Sequence, residues 1–135
     1  MGIIVNILTL RTDNPKAEVG LYRDGLQLDY IAWEAHRMLA ETINSKINEL
    51  IEGNDMSLGD IQGIICYRGP GSFTGLRIGL SVANALAYSL SIPIVGIEAE
   101  QDWISRGLSA LISNNTSNII TPEYGAPVHI TQPKK

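Results

Sequence analysis

The run from Ile78 to Leu90 limits the fold more than any other stretch, because it is apolar or small on nearly every side. Gly75, Gly79, Ala83 and Ala87 recur every four residues and form a ridge almost without side chains. Leu76, Leu80 and Leu90 lie beside that ridge, and Ile78, Val82 and Leu86 lie on a second face. Four-residue spacing marks one stripe of an α-helix. A helix apolar nearly all round must be covered nearly all round, and a single sheet covers one side only. The small ridge permits close approach by another helix. Two neighbours answer to that description: the helix of this chain that carries Leu39 and Ile43, or a helix from outside the chain.

The helix is launched from a glycine-rich turn, Arg68-Gly69-Pro70-Gly71-Ser72-Phe73-Thr74-Gly75-Leu76-Arg77, which follows the apolar strand-like run Ile61 to Tyr67. A strand-to-helix turn aims backbone N–H groups and the positive end of the helix at one point, so Gly71, Ser72 and Thr74 are a candidate anion-binding turn. Known phosphate patterns do not fit it. A P-loop needs Gly-x-x-x-x-Gly-Lys-Ser/Thr, whereas Gly71 and Gly75 are four apart and are followed by Leu76-Arg77. A dinucleotide fingerprint needs a third glycine where Thr74 stands. An acetyl-CoA-type pattern is half met by Arg68 and Gly71 and breaks at Phe73. Ser72 has no His and acid in a supporting arrangement, so it reads as a helix cap, with Thr74 a second cap candidate. No catalytic residue, metal ligand or cofactor is expected. His36 and His129 are far apart, and the one cysteine, Cys66, sits in an apolar run as a small hydrophobe.

The 135 residues suffice for one domain with a real core, and 44% apolar with 18% charged content is a globular composition. The net charge of −4 and ten scattered basic residues, with Lys134-Lys135 the only adjacent pair, argue against an extended nucleic-acid surface. One cysteine fits a reducing compartment. Met1 to Val5 lacks a basic signal-peptide start, and no apolar run reaches membrane-spanning length, so a cytoplasmic protein is expected.

Along the chain, Ile3 to Leu10 reads as a strand, Arg11 to Lys16 as a turn, and Ala17 to Tyr22 as a second strand. Asp24-Gly25 is a hairpin signal, with a third strand from Leu26 to Trp33 that sets Leu26, Leu28 and Tyr30 on one face. Glu34 to Glu52 is helical, with Leu39, Ile43, Ile47, Leu50 and Ile51 on one stripe. Ser57-Leu58-Gly59-Asp60 has capping-box spacing. Gln62 to Tyr67 is a doubly buried strand, Ile94 to Ile97 a fifth strand, and Glu98 to Ile112 a last helix with Trp103, Ile104, Leu108, Leu111 and Ile112 apolar. The order β-β-β-α-β-α-β-α is an α/β domain with a mixed five-stranded sheet over residues 1–113. Residues 114–135 follow as an extended tail holding three of the six prolines.

The stretch Asp60-Ile61-Gln62-Gly63-Ile64, together with Arg68 to Leu80, closely resembles the signature of the bacterial TsaB (YeaZ) family of tRNA threonylcarbamoyladenosine biosynthesis. The resemblance implies a single actin-like ATPase (ribonuclease-H-like) domain. It also implies a scaffold without catalysis of its own. Such a subunit pairs by helix packing with the catalytic subunit TsaD and supports recruitment of the ATPase TsaE, in the complex that modifies adenosine 37 of tRNA. tRNA is met through the complex; a homodimer formed through the same helices is a further alternative for the chain alone. The interface expected on this basis is Gly71, Ser72, Gly75, Leu76, Gly79 and Ala83, with Leu39 and Ile43 from the neighbouring helix; Gly79→Leu is expected to block pairing and spare the fold. The alternative is an actin-like ATPase with its own nucleotide site. Two departures weigh against it. Family members read Asp-Thr-Ser where this chain has Arg11-Thr12-Asp13, and a guanidinium cannot ligate a cation. Family members also carry a second domain, of which this chain lacks most, so the cleft between domains is expected to be largely missing.

Overall fold

Strand β1 (Asn6–Arg11) lies at the middle of the sheet, flanked by β2 (Lys16–Arg23) on one side and β4 (Gly63–Tyr67) on the other. The outer strands are β3 (Leu26–Glu34) and β5 (Ile94–Ile97), giving the order β3-β2-β1-β4-β5. The first three strands are antiparallel neighbours, and β4 and β5 join in parallel. The computed structural model describes residues 5–98, 101–117 and 119–123. The ends of the expected first strand and of the expected tail, including His129, lie outside them.

The helices are α1 (Leu39–Glu52), α2 (Phe73–Leu90) and α3 (Trp103–Ile112). α1 begins later than its apolar period predicts, because a single 3-10 turn, His36–Met38, occupies the entry. Leu39, Ile43, Ile47, Leu50 and Ile51 are all buried, so the 3.6-residue stripe is the packing face. They meet Leu8 and Leu10 of β1 and Ala17, Val19 and Leu21 of β2 in the main core, which α2 joins through Leu80, Ala83 and Ala87. α3 covers the opposite face around Ile7, Ile65, Tyr67 and Val95. There Gly107 lets it settle onto Ile65, whose side chain fills the space a Cβ would take. Ile112, expected on the apolar side of α3, is 83% exposed.

Ser57 and Asp60 form the reciprocal capping box that their spacing predicts. β4 is buried along its whole length, as a parallel strand covered on both faces must be. Cys66 near its C-terminal end is fully enclosed, and burial pushes its thiol up to about 12, while the Arg68 cation pulls the other way.

Candidate functional site

The glycine turn closes on the chain's own backbone. Ser72 caps α2, its Oγ accepting the Gly75 N–H at 3.3 Å and its carbonyl the Leu76 N–H at 2.9 Å. The Ser72 N–H itself donates to the Asp13 carbonyl at 2.8 Å. Thr12 donates its hydroxyl to the Gly75 carbonyl at 2.8 Å. The turn between β1 and β2 is therefore docked on the first turns of α2. The glycines explain themselves by that contact: a Cβ at Gly71 would strike Asp13, one at Gly75 the Thr12 carbonyl, and one at Gly79 the Thr12 side chain. Gly69, at φ +125°, lies against the Glu123 carbonyl. Close approach is what the glycines provide, and the approaching groups are protein.

The same turn settles the fit of a metal-nucleotide group. Arg11 holds Asp13 by two bonds, Nε to Oδ1 at 2.7 Å and Nη2 to Oδ2 at 3.1 Å, with the two side chains only 11% and 9% exposed. The guanidinium lies 4.2 Å from the centre of the Tyr67 ring, which meets Trp103 edge-on at 5.9 Å. Tyr67 donates its hydroxyl to the Pro70 carbonyl at 3.1 Å, tying this stack to the glycine turn. A carboxylate clamped by a bidentate guanidinium is already charge-paired and has one lone pair on each oxygen engaged. The residues present do not fit a cation with phosphates. Among the described residues, no three His, Cys, Asp or Glu side chains gather as a metal site would require. His36 is surface-exposed, 3.4 Å from Glu34.

Five of the eight residues expected at an interface point into the chain's own core. Leu76, Gly79, Ala83, Leu39 and Ile43 are all buried. The small ridge is used from within, against Thr12 and the sheet, and Gly79→Leu would break the fold rather than spare it. Gly71 and Ser72 are exposed at the helix start, and Gly75 is half-buried. Among the described residues, the side of α2 left open is the other one. Ile78, Val82 and Leu86 are half-buried there, while Thr74, Arg77, Ser81, Ala85, Tyr88 and Ser89 are exposed. Ala40 of α1 forms one wall of a shallow 450 Å³ groove along this face, beside Thr74, Arg77, Ile78, Ser81 and Val82. A continuing groove of 390 Å³ runs past Asn44, Ala85, Leu86 and Ser89. Arg77 leans over Phe73 at 5.2 Å at the upper end.

Sequence reasoning missed Thr12, whose role is visible only when a turn and a helix 63 residues apart are brought together. It also missed Arg68 as a junction. That residue donates its N–H to Ile97, accepts from Glu123, and pairs with Glu98 at 2.9 Å.

A family model described as TsaD, tRNA N6-adenosine threonylcarbamoyltransferase, matches residues 33–110. The tRNA threonylcarbamoyladenosine biosynthesis protein TsaB of Bacillus subtilis is 31% identical over 104 residues, covering 76% of this chain and 45% of the relative. The crystallised YeaZ of Pseudomonas aeruginosa superposes with a TM-score of 0.68 at 25% identity, over 82% of this chain and 50% of that one. Thermus thermophilus RuvC, at 11% identity and TM-score 0.51 over 93% of this chain and 85% of its own, shares the fold alone. This chain spans about half the length of the curated TsaB relatives it matches. The domain is ribonuclease-H-like and actin-like, with the expected mixed five-stranded sheet. No helix among the described residues is long and apolar enough to cross a membrane. With the TsaD family model matching from the end of β3 into α3, and TsaB and YeaZ matches running across most of the chain, this protein belongs to the TsaB (YeaZ) family and shares the domain that the TsaD model describes.

Proposed function

We propose that the chain serves tRNA threonylcarbamoyladenosine formation as a non-catalytic subunit that docks the outer face of α2 on a TsaD-like catalytic subunit. Through that pair it supports recruitment of a TsaE-like ATPase, and it meets tRNA through the complex. A homodimer built on the same face is the state proposed for the chain alone. The domain proper is proposed to end near residue 113, with the residues beyond as a tail that Ile120 anchors in its core.

The observation that carries this reading is the composition of that face. Ile78, Val82 and Leu86 lie in an open groove, and Ser81, Ala85 and Ser89 repeat every four residues along it. Small residues at that spacing admit a second helix at short range, so that the aliphatic side chains between them are buried on both sides. Gly71, Ser72 and Gly75 stay in the proposed surface at its upper end. Leu76, Gly79, Ala83, Leu39 and Ile43 support it from beneath. An ATPase reading has the clamped Asp13 against it.

The test is co-purification with the TsaD-like subunit, read beside reconstituted tRNA modification. Val82→Glu places a charge in the centre of the groove and is expected to weaken pairing by about 100-fold or more, the effect of losing a central anchor. Modification should fall with it, while the circular dichroism spectrum at 25 °C stays that of the folded wild type. Wild-type pairing by that variant, or micromolar ATP binding with turnover by the isolated chain, would overturn the proposal.

A further inference from the structure

The ridge of Ser81, Ala85 and Ser89 along the outer face of α2 has two flanks. On one flank Ile78, Val82 and Leu86 meet the α1 groove. The other flank carries Asn84 and Tyr88, four residues apart and so on one side of the helix. Asn84 is spent on the chain beyond α3. Its Nδ2 donates to the Ile120 carbonyl at 2.9 Å, and its Oδ1 accepts the Ile120 N–H at 2.8 Å. Tyr88 is 88% exposed, and Ile119 is 68% exposed. The two line a single cleft of 560 Å³, whose other apolar walls are Ala87, Ile92 and Pro93.

Exposed apolar side chains scattered singly need no explanation. These two share one cleft, and neither can fold away from it. Ile120 is seated in the main core, and Ser117 donates its N–H to the Ile94 carbonyl at 3.1 Å, so the backbone is anchored on both sides of Ile119. Tyr88 is fixed by the end of α2, where its carbonyl accepts the Ser91 N–H at 3.2 Å and the Ala87 carbonyl accepts the Ile92 N–H at 3.0 Å. Apolar groups held in place in this way form a preorganised pocket, which a docking group meets at low cost in ordering. Tyrosine adds a large contact area with few rotatable bonds, and it recurs among the residues that dominate interfaces. Among the described residues, every side chain lining the cleft is uncharged. A charged group seated there would lose water and find no counter-ion. A helix laid along the small ridge runs between the α1 groove and this cleft and reaches both.

Resting on the α2 docking face already proposed, we infer that this face continues across Tyr88 onto Ile119. The cleft between them takes an uncharged, apolar side chain of the TsaD-like subunit, with Tyr88 as its anchor. The docking face is then built from two parts of the chain, α2 and the segment beyond α3, rather than from helices alone.

The test is the affinity of the full chain for the TsaD-like subunit, measured by titration calorimetry, with Val82→Glu as the reference for losing the α2 face. Tyr88→Ala is expected to weaken pairing by about 30-fold, and Ile119→Lys by at least about tenfold. Both side chains stand in solvent, so each variant should keep the circular dichroism spectrum of the folded wild type. Tyr88→Phe keeps the apolar body and should pair within about threefold of wild type. Wild-type pairing by either Tyr88→Ala or Ile119→Lys, beside a loss in Val82→Glu, would overturn this inference and leave the α2 reading standing. Wild-type pairing by Val82→Glu would overturn the α2 reading, and the cleft with it.

Discussion

Gly79 has no room for a side chain, because the Thr12 hydroxyl and methyl already occupy that space. Gly79→Ala gains about 1 kcal/mol of helix propensity and loses more by overpacking, so a net destabilisation of about 2 kcal/mol is expected in urea unfolding. Adding Thr12→Ala should recover part of that loss, because the two sites share one contact. Cys66 makes a different prediction. Its folded thiol titrates near 12, against 9.0 for an unperturbed cysteine, so the unfolded chain sheds this proton first as pH rises. This contribution to stability is complete below about pH 9 and is lost as pH climbs toward 12, at about 1.4 kcal/mol per pH unit. Denaturant midpoints measured from pH 8 to 11 would show it against a Cys66→Ala control. The turn from Arg11 to Asp13 was partly legible, since arginine in place of the family's aspartate already spoke against a cation. The bidentate clamp was not, because two side chains two residues apart meet only in the conformation the turn adopts, and the Tyr67 stack was not, because it joins residues distant in the chain.

α1 and α2 differ in how much of their packing could be read in advance. α1 has one apolar stripe and a polar remainder, so its buried face followed from period alone. α2 is small or apolar on both sides, and period then identifies a helix without saying which side faces the sheet. The answer depended on the Thr12 contact, which turned the glycine ridge inward and left Ser81, Ala85 and Ser89 outside. The start of α2 was readable, because Ser72 is a strong cap residue just ahead of an apolar run. Ser72→Ala removes the Oγ that accepts the Gly75 N–H and should cost about 1 kcal/mol, measured by thermal unfolding. The start of α3 was placed too early, as Glu98 to Asp102 carries no apolar period and the helix begins at Trp103.

On the scale of the whole molecule, the two sheet edges are protected differently. β5 is covered by the chain itself at Ser117. Among the described residues nothing pairs with the outer side of nine-residue β3, where Leu26 and Leu28 are exposed and the register breaks beside Leu21. Asp29 stands there, accepting the Tyr30 N–H at 2.8 Å and an Asn54 amide at 2.9 Å. A bulge and a charge are the usual defences of an edge. Asp29→Ala should therefore raise the aggregation rate on gentle heating, followed by light scattering, without changing the fold. The fold class and the mixed five-stranded sheet were legible from element order; the strand order across the sheet came only with the structure. The surface left unpartnered was not, being whatever remains once every internal contact is made. The docked β1–β2 turn also bears on how such a domain changes over successive mutations. Converting it to a phosphate cradle means removing the Arg11 clamp, parting Thr12 and Asp13 from α2, and clearing Glu123 from Gly69. Each change alone lowers stability and yields no cradle. One-step mutational paths toward a nucleotide site therefore all begin downhill in fitness, and the turn behaves as a ratchet.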